Sequence, residues 1–194
     1  MIELTLKYKG ARHYIHGGDF YNAIDEHLTQ RLGGHLTRLA FKRFARNQCR
    51  LLLEPPTDMS PVMGNGSWCT ASGEAQRFWL YESDTPVTAS YPFDEDAITT
   101  AAAINENSIL GQGCHSYTAI ENIIALTKML NYVLTPDIAG KWLFGQLDVN
   151  AKLPSHWDEM RIERYLCMGS GFSRHHINID GNELGEIRFI VGEP

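Results

Sequence analysis

The strongest constraint in the chain is the stretch Gly113-Cys-His-Ser-Tyr117-Thr-Ala-Ile-Glu121-Asn-Ile-Ile-Ala-Leu126-Thr-Lys-Met-Leu130, a glycine-and-histidine loop running straight into an apolar helix. Tyr117, Ile120, Ile124 and Met129, with Ala119, Ile123, Leu126 and Leu130, make that helix apolar nearly all round. Such a helix belongs inside a core. Glu121 sits near its start, and a carboxylate among apolar neighbours is costly unless it is paired or useful. The chain beyond is rich in strand formers and ends in Glu186-Ile-Arg-Phe-Ile-Val191. The pattern predicts an α+β protein with strands wrapped round a central helix.

A chain of 194 residues, 43% hydrophobic and 21% charged, can bury the core of one domain or of two small fused ones. Its net charge of -6 and pI near 5.7 argue against nucleic acid as the main partner, because phosphate neutralisation needs a basic face. No apolar run is long enough to span a bilayer, and the N-terminus alternates like a strand rather than reading as a signal peptide. Cys49, Cys69, Cys114 and Cys167 are far apart with no Cys-x-x-Cys pair, which fits reduced thiols and a cytoplasmic protein. His175 and His176 point to opposite faces of a strand, so they cannot share a metal, and neither a metal nor a cofactor is expected.

Ile2, Leu4, Leu6 and Tyr8 share one face of a first strand, with Glu3, Thr5, Lys7 and Lys9 on the other. After the loop Arg12 to Asp19, with Asp19 as N-cap, a helix is predicted from Phe20 to about Leu32, stopped by Gly33-Gly34. Strands are expected over 36–44, 49–53, 75–82 and 86–92, with 57–66 as loop and a short Ala-rich helix within 94–107. Four more strands follow the central helix, over 142–149, 159–168, 174–179 and 184–191, the last two joined by an Asp180-Gly181-Asn182 hairpin turn.

The halves repeat. Gly17, Tyr21, Ala23, Ile24, Asp25 and Leu28 match Gly113, Tyr117, Ala119, Ile120, Glu121 and Ile124 at identical spacing. With a shift of two, Cys69, Ser72 and Gly73 match Cys167, Ser170 and Gly171. Two amphipathic helices can match by chance, but both matches in the same order favour a duplicated strand–helix–strands unit. The organisation expected is an N-terminal unit over 1–95, a linker over 96–107 and a C-terminal unit over 108–194.

A loop, a buried helix with an early acid, and a run of strands with an Asp-Gly hairpin near the end resembles the hotdog fold. Ile120-Glu121-Asn-Ile-Ile-Ala125 is similar to the start of the central helix in hotdog dehydratases and thioesterases, and 143–194 to the strands that follow it. The duplication would make a double hotdog, two long helices each wrapped by a curved antiparallel β-sheet. The chain lacks the dehydratases' His-Phe-Pro stretch and carries Ala125 where a Gln would follow the helix acid.

The resemblance implies an acyl thioester of coenzyme A or acyl carrier protein as substrate, with hydrolysis or dehydration as the reaction. It also implies that Glu121 faces the loop around His16 and that Asp25 faces the loop around His115. A partly buried carboxylate can act as general base or acid, and histidine can share the proton work. Gly17, Gly18 and Gly113 would let backbone amides approach the thioester carbonyl at a helix N-terminus. Tyr21 and Tyr117, at matching places in the repeat, join the expected substrate-binding residues. Lys42, Arg43, Arg46 and Arg50 form the one basic cluster, either a solvated strand face or a dock for coenzyme A phosphates or an acidic carrier. The bland readings are that Glu121 favours the helix dipole, that Asp25 lies on a solvated face beside Glu26 and His27, and that the histidines bond locally. A duplicated chain would work as a monomer with pseudo-twofold symmetry or pair again as a homodimer. The alternative function is a non-catalytic hotdog module that binds an acyl chain or a protein partner.

Overall fold

The computed structural model describes residues 1–113, 116–169 and 171–193. The chain divides into two compact units, Met1–Phe93 and Asp94–Pro194.

The N-terminal unit runs β1 (Ile2–Glu3), β2 (Tyr8–Lys9), α1 (Gly17–His27), β3 (His35–Phe41), β4 (Asn47–Leu52), β5 (Val62–Cys69), β6 (Ala75–Pro86) and β7 (Ser90–Tyr91). Its antiparallel sheet has the order β1-β4-β6-β5-β3, and β2 pairs with β7 in a separate parallel ribbon. The helix of this unit is shorter than expected. Eleven α-helical residues give way to a π-helical turn at Leu28–Leu32, closed by Gly33 at φ 64. The reason is amphipathicity: Phe20, Tyr21, Ile24 and Leu28 are buried, while residues 29–32 are exposed and no packing holds them to α-helical pitch.

Two other expectations for this unit fail for physical reasons. The loop expected over 57–66 gives way to β5 from Val62, because Gly64 and Gly66 serve close packing rather than a turn. A Cβ on Gly66 would meet the Arg38 carbonyl at 2.1 Å and the Phe78 ring at 2.3 Å. The alternation of the first segment holds through Leu4 and Leu6 and then inverts, so that Lys9 is fully buried and Tyr8 is not. Between the two short strands, the Gln48 side chain takes the Leu6 amide (2.8 Å) and donates to the Leu6 carbonyl (3.0 Å) in place of a neighbouring strand. Without a continuous ladder, nothing enforces period 2.

The C-terminal unit runs α2 (Asp96–Thr99), β8 (Ala103–Asn105), β9 (Ser108–Gln112), α3 (Ala119–Leu134), β10 (Lys141–Val149), β11 (Glu159–Met168), β12 (Phe172–Ile179) and β13 (Asn182–Gly192). The order is β10-β13-β12-β11-β9-β8, antiparallel throughout. Strand β9, unassigned in the sequence reading, pairs with β11, and its Gly111 lets Leu126 of α3 approach. The hairpin after β12 forms as expected, with Asp180 at φ 50, Gly181 at φ 79, and Ile179 paired with Asn182.

Helix α3 is the one long regular helix among the described residues, and it lies on β9, β10, β11 and β12. Ala119 through Thr127 are buried without interruption, followed by Leu130 and Asn131. Ile109, Met160, Ile162, Ile177, Ile187 and Phe189 are fully buried in the same unit. Each such side chain contributes on the order of 1.5–3 kcal/mol on leaving water. The far end of α3 is closed by Arg164, which donates to the Thr135 hydroxyl (2.7 Å) and the Leu134 carbonyl (3.4 Å).

Candidate active site

Glu121 is the third residue of α3 and is 8% exposed. The Thr118 amide and hydroxyl donate to Glu121 Oε2 at 2.8 and 2.9 Å, and the Thr118 side chain accepts from the Glu121 amide. This is a capping box, in which N-cap and third residue satisfy each other's orphan donors. Asn122 reinforces it, donating to the Thr118 carbonyl at 3.0 Å. The carboxylate that the apolar surroundings make costly is thus held by two donors at the positive end of a helix dipole.

The other expected residues of this unit lie nearby along the chain. Gly113 donates its amide to the Asp158 carbonyl (3.1 Å), so that N–H is already engaged. Tyr117 is half-buried and its carbonyl accepts from Asn122 (3.4 Å). His115 lies outside the described residues.

In the N-terminal unit the helix starts earlier than expected. His16, not Asp19, is the N-cap, and its ring Nδ1 accepts the Gly18 amide at 3.3 Å. Gly17 opens α1, Gly18 and Tyr21 are buried, and Asp19 falls in the first turn. Asp25 is half-buried near the C-terminal end of α1, where its carbonyl accepts the Leu28 amide. The repeat equates it with Glu121, yet one acid stands at the end of its helix and the other at the start.

The sequence reading missed the cluster that Asp19 joins. Lys9 Nζ lies 3.0 Å from Asp19 Oδ1, and the Tyr91 hydroxyl donates to the same oxygen at 2.6 Å. The ammonium also sits 4.4 Å from the centroid of the Phe93 ring and 5.7 Å from that of Tyr91. A second missed group lies in the C-terminal core. His175 and Asn131 are both fully buried and bonded through Nε2 and Oδ1 at 3.1 Å. Burial pulls the His175 imidazole down to about 3, with the Arg164 charge working in the same direction, so it is neutral. The sequence placed His175 and His176 on opposite faces of β12, but nothing in it identified Asn131 as a partner.

The basic cluster is divided. Arg43 pairs with Glu82 and donates to the Pro61 carbonyl (3.1 Å), and Glu82 also accepts the Arg46 amide (2.6 Å). Lys42 and Arg46 are exposed. Among the described residues no helix is long and apolar enough to cross a membrane.

No protein-family model matches the sequence, and no curated protein matches it. Solved structures do match. The dehydratase domain of PpsC from Mycobacterium tuberculosis, in complex with C12:1-CoA, is 9% identical over 92% of this chain and 85% of that one, with a TM-score of 0.52. The bifunctional dehydratase-cyclase domain in ambruticin biosynthesis is 11% identical over 93% and 83%, with a TM-score of 0.50. An acyl-ACP thioesterase from Bacteroides thetaiotaomicron is 10% identical over 97% and 95%, with a TM-score of 0.46. At such identities the likeness is one of architecture: the chain has the hotdog fold.

Proposed function

We propose that this chain is a double hotdog that processes an acyl thioester of coenzyme A or acyl carrier protein, by hydrolysis or dehydration, in the cytoplasm. Glu121 is the general acid or base and His16 shares the proton transfer. Gly17 and Gly18 bring backbone amides to the thioester carbonyl, with Tyr21 and Tyr117 binding substrate. Asp25 and His115 are the corresponding pair of the repeat. The observation that carries this reading is Glu121, a carboxylate almost withdrawn from water at the start of the long buried helix α3. A group so placed is cheap to keep only where its charge is stabilised, and useful where a proton must move. The dehydratase domain with C12:1-CoA shares this architecture, which supports a long-chain thioester as the first substrate to try.

The capping box favours a second reading, a non-catalytic module that binds an acyl chain or a protein, because it gives Glu121 a structural duty. Glu121→Gln separates the two. Gln also serves at the third position of a capping box, so this variant keeps the helix start while removing the titratable group. Acyl-coenzyme A substrates of several lengths, with thiol release and enoyl absorbance followed together, give the readout. The enzyme reading expects turnover in the parent and a loss of about 100-fold or more in Glu121→Gln. A silent parent that still binds acyl chains supports the module.

A further inference from the structure

The ion pair Lys9–Asp19 has no part in the chemistry proposed above, yet its position is unusual. Lys9 is 0% exposed and its ammonium is enclosed by a carboxylate and aromatic rings. Burying a lysine requires a partner, and that partner is a residue of the first turn of α1, directly after Gly18. Lys9 and Tyr91 come from the two strands of the β2–β7 ribbon and are paired in register. Both donate to one oxygen of Asp19. The ribbon is in turn fixed by the Tyr8 amide on the Ala89 carbonyl (2.9 Å) and the Gly10 amide on the Tyr91 carbonyl (2.8 Å). Asp19 is therefore held from outside the helix.

His16 is tied to the same turn. Its carbonyl accepts the Asp19 amide (3.0 Å), and its Nδ1 accepts the Gly18 amide (3.3 Å). A backbone N–H can only donate, so Nδ1 carries no proton and the neutral ring carries it on Nε2. The Gly18 amide alone would be a poor anchor, since two glycines open the helix and glycine restrains its backbone least.

We propose that Lys9 and Tyr91 are positioning residues for His16: by clamping Asp19 they fix the Gly18 amide, which holds the His16 ring in its Nε2–H tautomer. His16 then presents a hydrogen-bond donor toward a substrate oxygen, and the task of accepting a proton falls to Glu121. This assignment of roles rests on the proposed thioester chemistry; the clamp and the tautomer do not.

The test is built to separate the two. Full-length protein labelled with nitrogen-15 is examined by long-range proton–nitrogen correlation of its imidazoles, with His16→Gln used to assign the His16 signals. The parent is expected to show the Nε2–H pattern at neutral pH. Lys9→Met and Tyr91→Phe are expected to mix the tautomers and to speed exchange of the Gly18 amide by about tenfold. On a turned-over thioester they should lower kcat by about tenfold with KM little changed. Should Lys9→Met fail to fold, Tyr91→Phe still decides, since it removes one hydroxyl and leaves the ion pair. An Nδ1–H parent, or variants with parental tautomer and Gly18 exchange, would overturn the proposal. Shifted tautomers in a protein that turns over no thioester would support the clamp and sink the enzyme reading instead.

Discussion

In the N-terminal unit the first turn of α1 is held from a distance, by Lys9 and Tyr91 converging on Asp19. In the C-terminal unit the first turn of α3 is held by its own sequence, with Thr118 and Glu121 satisfying each other. The repeat Gly-x-x-x-Tyr-x-Ala-Ile-acid is common to both, yet α1 begins at its glycine, Gly17, whereas α3 begins at its alanine, Ala119. The shared motif buries Ile24 and Leu28 in one unit and Ile120 and Ile124 in the other, without fixing where the helix starts. That is settled by whichever donor or acceptor reaches the end of the helix. The sheets differ as well. In both units the helix is followed by four strands of the antiparallel sheet, but β11, β12 and β13 are neighbours in succession, whereas β6 lies between β4 and β5. Connection length accounts for this. Residues 53–61, with Pro55, Pro56 and Pro61, separate β4 from β5, and proline cannot donate to a ladder. In the C-terminal unit the equivalent connection is short, β11 ending at Met168 and β12 starting at Phe172, and β12 folds straight back on β11.

The contrast between a distant and a local anchor is tested first by Asp19→Ala. It strands a fully buried ammonium, and removing one partner of a buried pair costs about 3–5 kcal/mol. A urea midpoint within error of the parent's would show that the anchor of α1 lies elsewhere. The next effect belongs to the C-terminal core. His175 stays neutral in the fold down to about pH 3, whereas the unfolded chain takes up that proton near 6.5. The unfolded state then binds more protons, so this contribution is complete above pH 6.5 and is lost as pH falls toward 3. At pH 4 the loss is on the order of 3 kcal/mol. His175→Gln should flatten the pH dependence of stability in that window. An unchanged slope would mean that other groups set the acid limit.

How far the molecule could be read in advance follows the same division. Helix α3, its four following strands and the Asp180-Gly181 hairpin were legible because neighbours in sequence determine them. The stop at Gly33 was legible for the same reason. Strand β5 was hidden because Gly64 and Gly66 look like loop residues until Ala40 is placed against the first and Arg38 and Phe78 against the second. Lys9 was assigned to the wrong face because Gln48, far along the chain, replaces the ladder beside Leu6. At the candidate site, the position of Glu121 was readable and its partner ought to have been: Thr118-x-x-Glu121 is a capping-box signature. The Lys9–Asp19–Tyr91 cluster left no such trace, since its members are neighbours only in the folded chain.

The local anchor gives the smallest effect and the sharpest check on the comparison. Thr118→Ala removes the hydroxyl that bonds Glu121 but leaves the backbone amide that donates to the same oxygen, so the carboxylate keeps one of its two donors from Thr118. An N-cap lost in this way costs about 1 kcal/mol, and Thr118→Ser should recover most of it because serine caps as well as threonine. The rest of α3 is secured by its buried face, which does not depend on the cap. A loss as large as that of Asp19→Ala would mean that α3 depends on its first turn as heavily as α1 does, and the distinction between the two anchors would collapse. A loss near 1 kcal/mol, with the amide exchange of α3 faster only in its first turn, is what a local anchor on a well-packed helix requires.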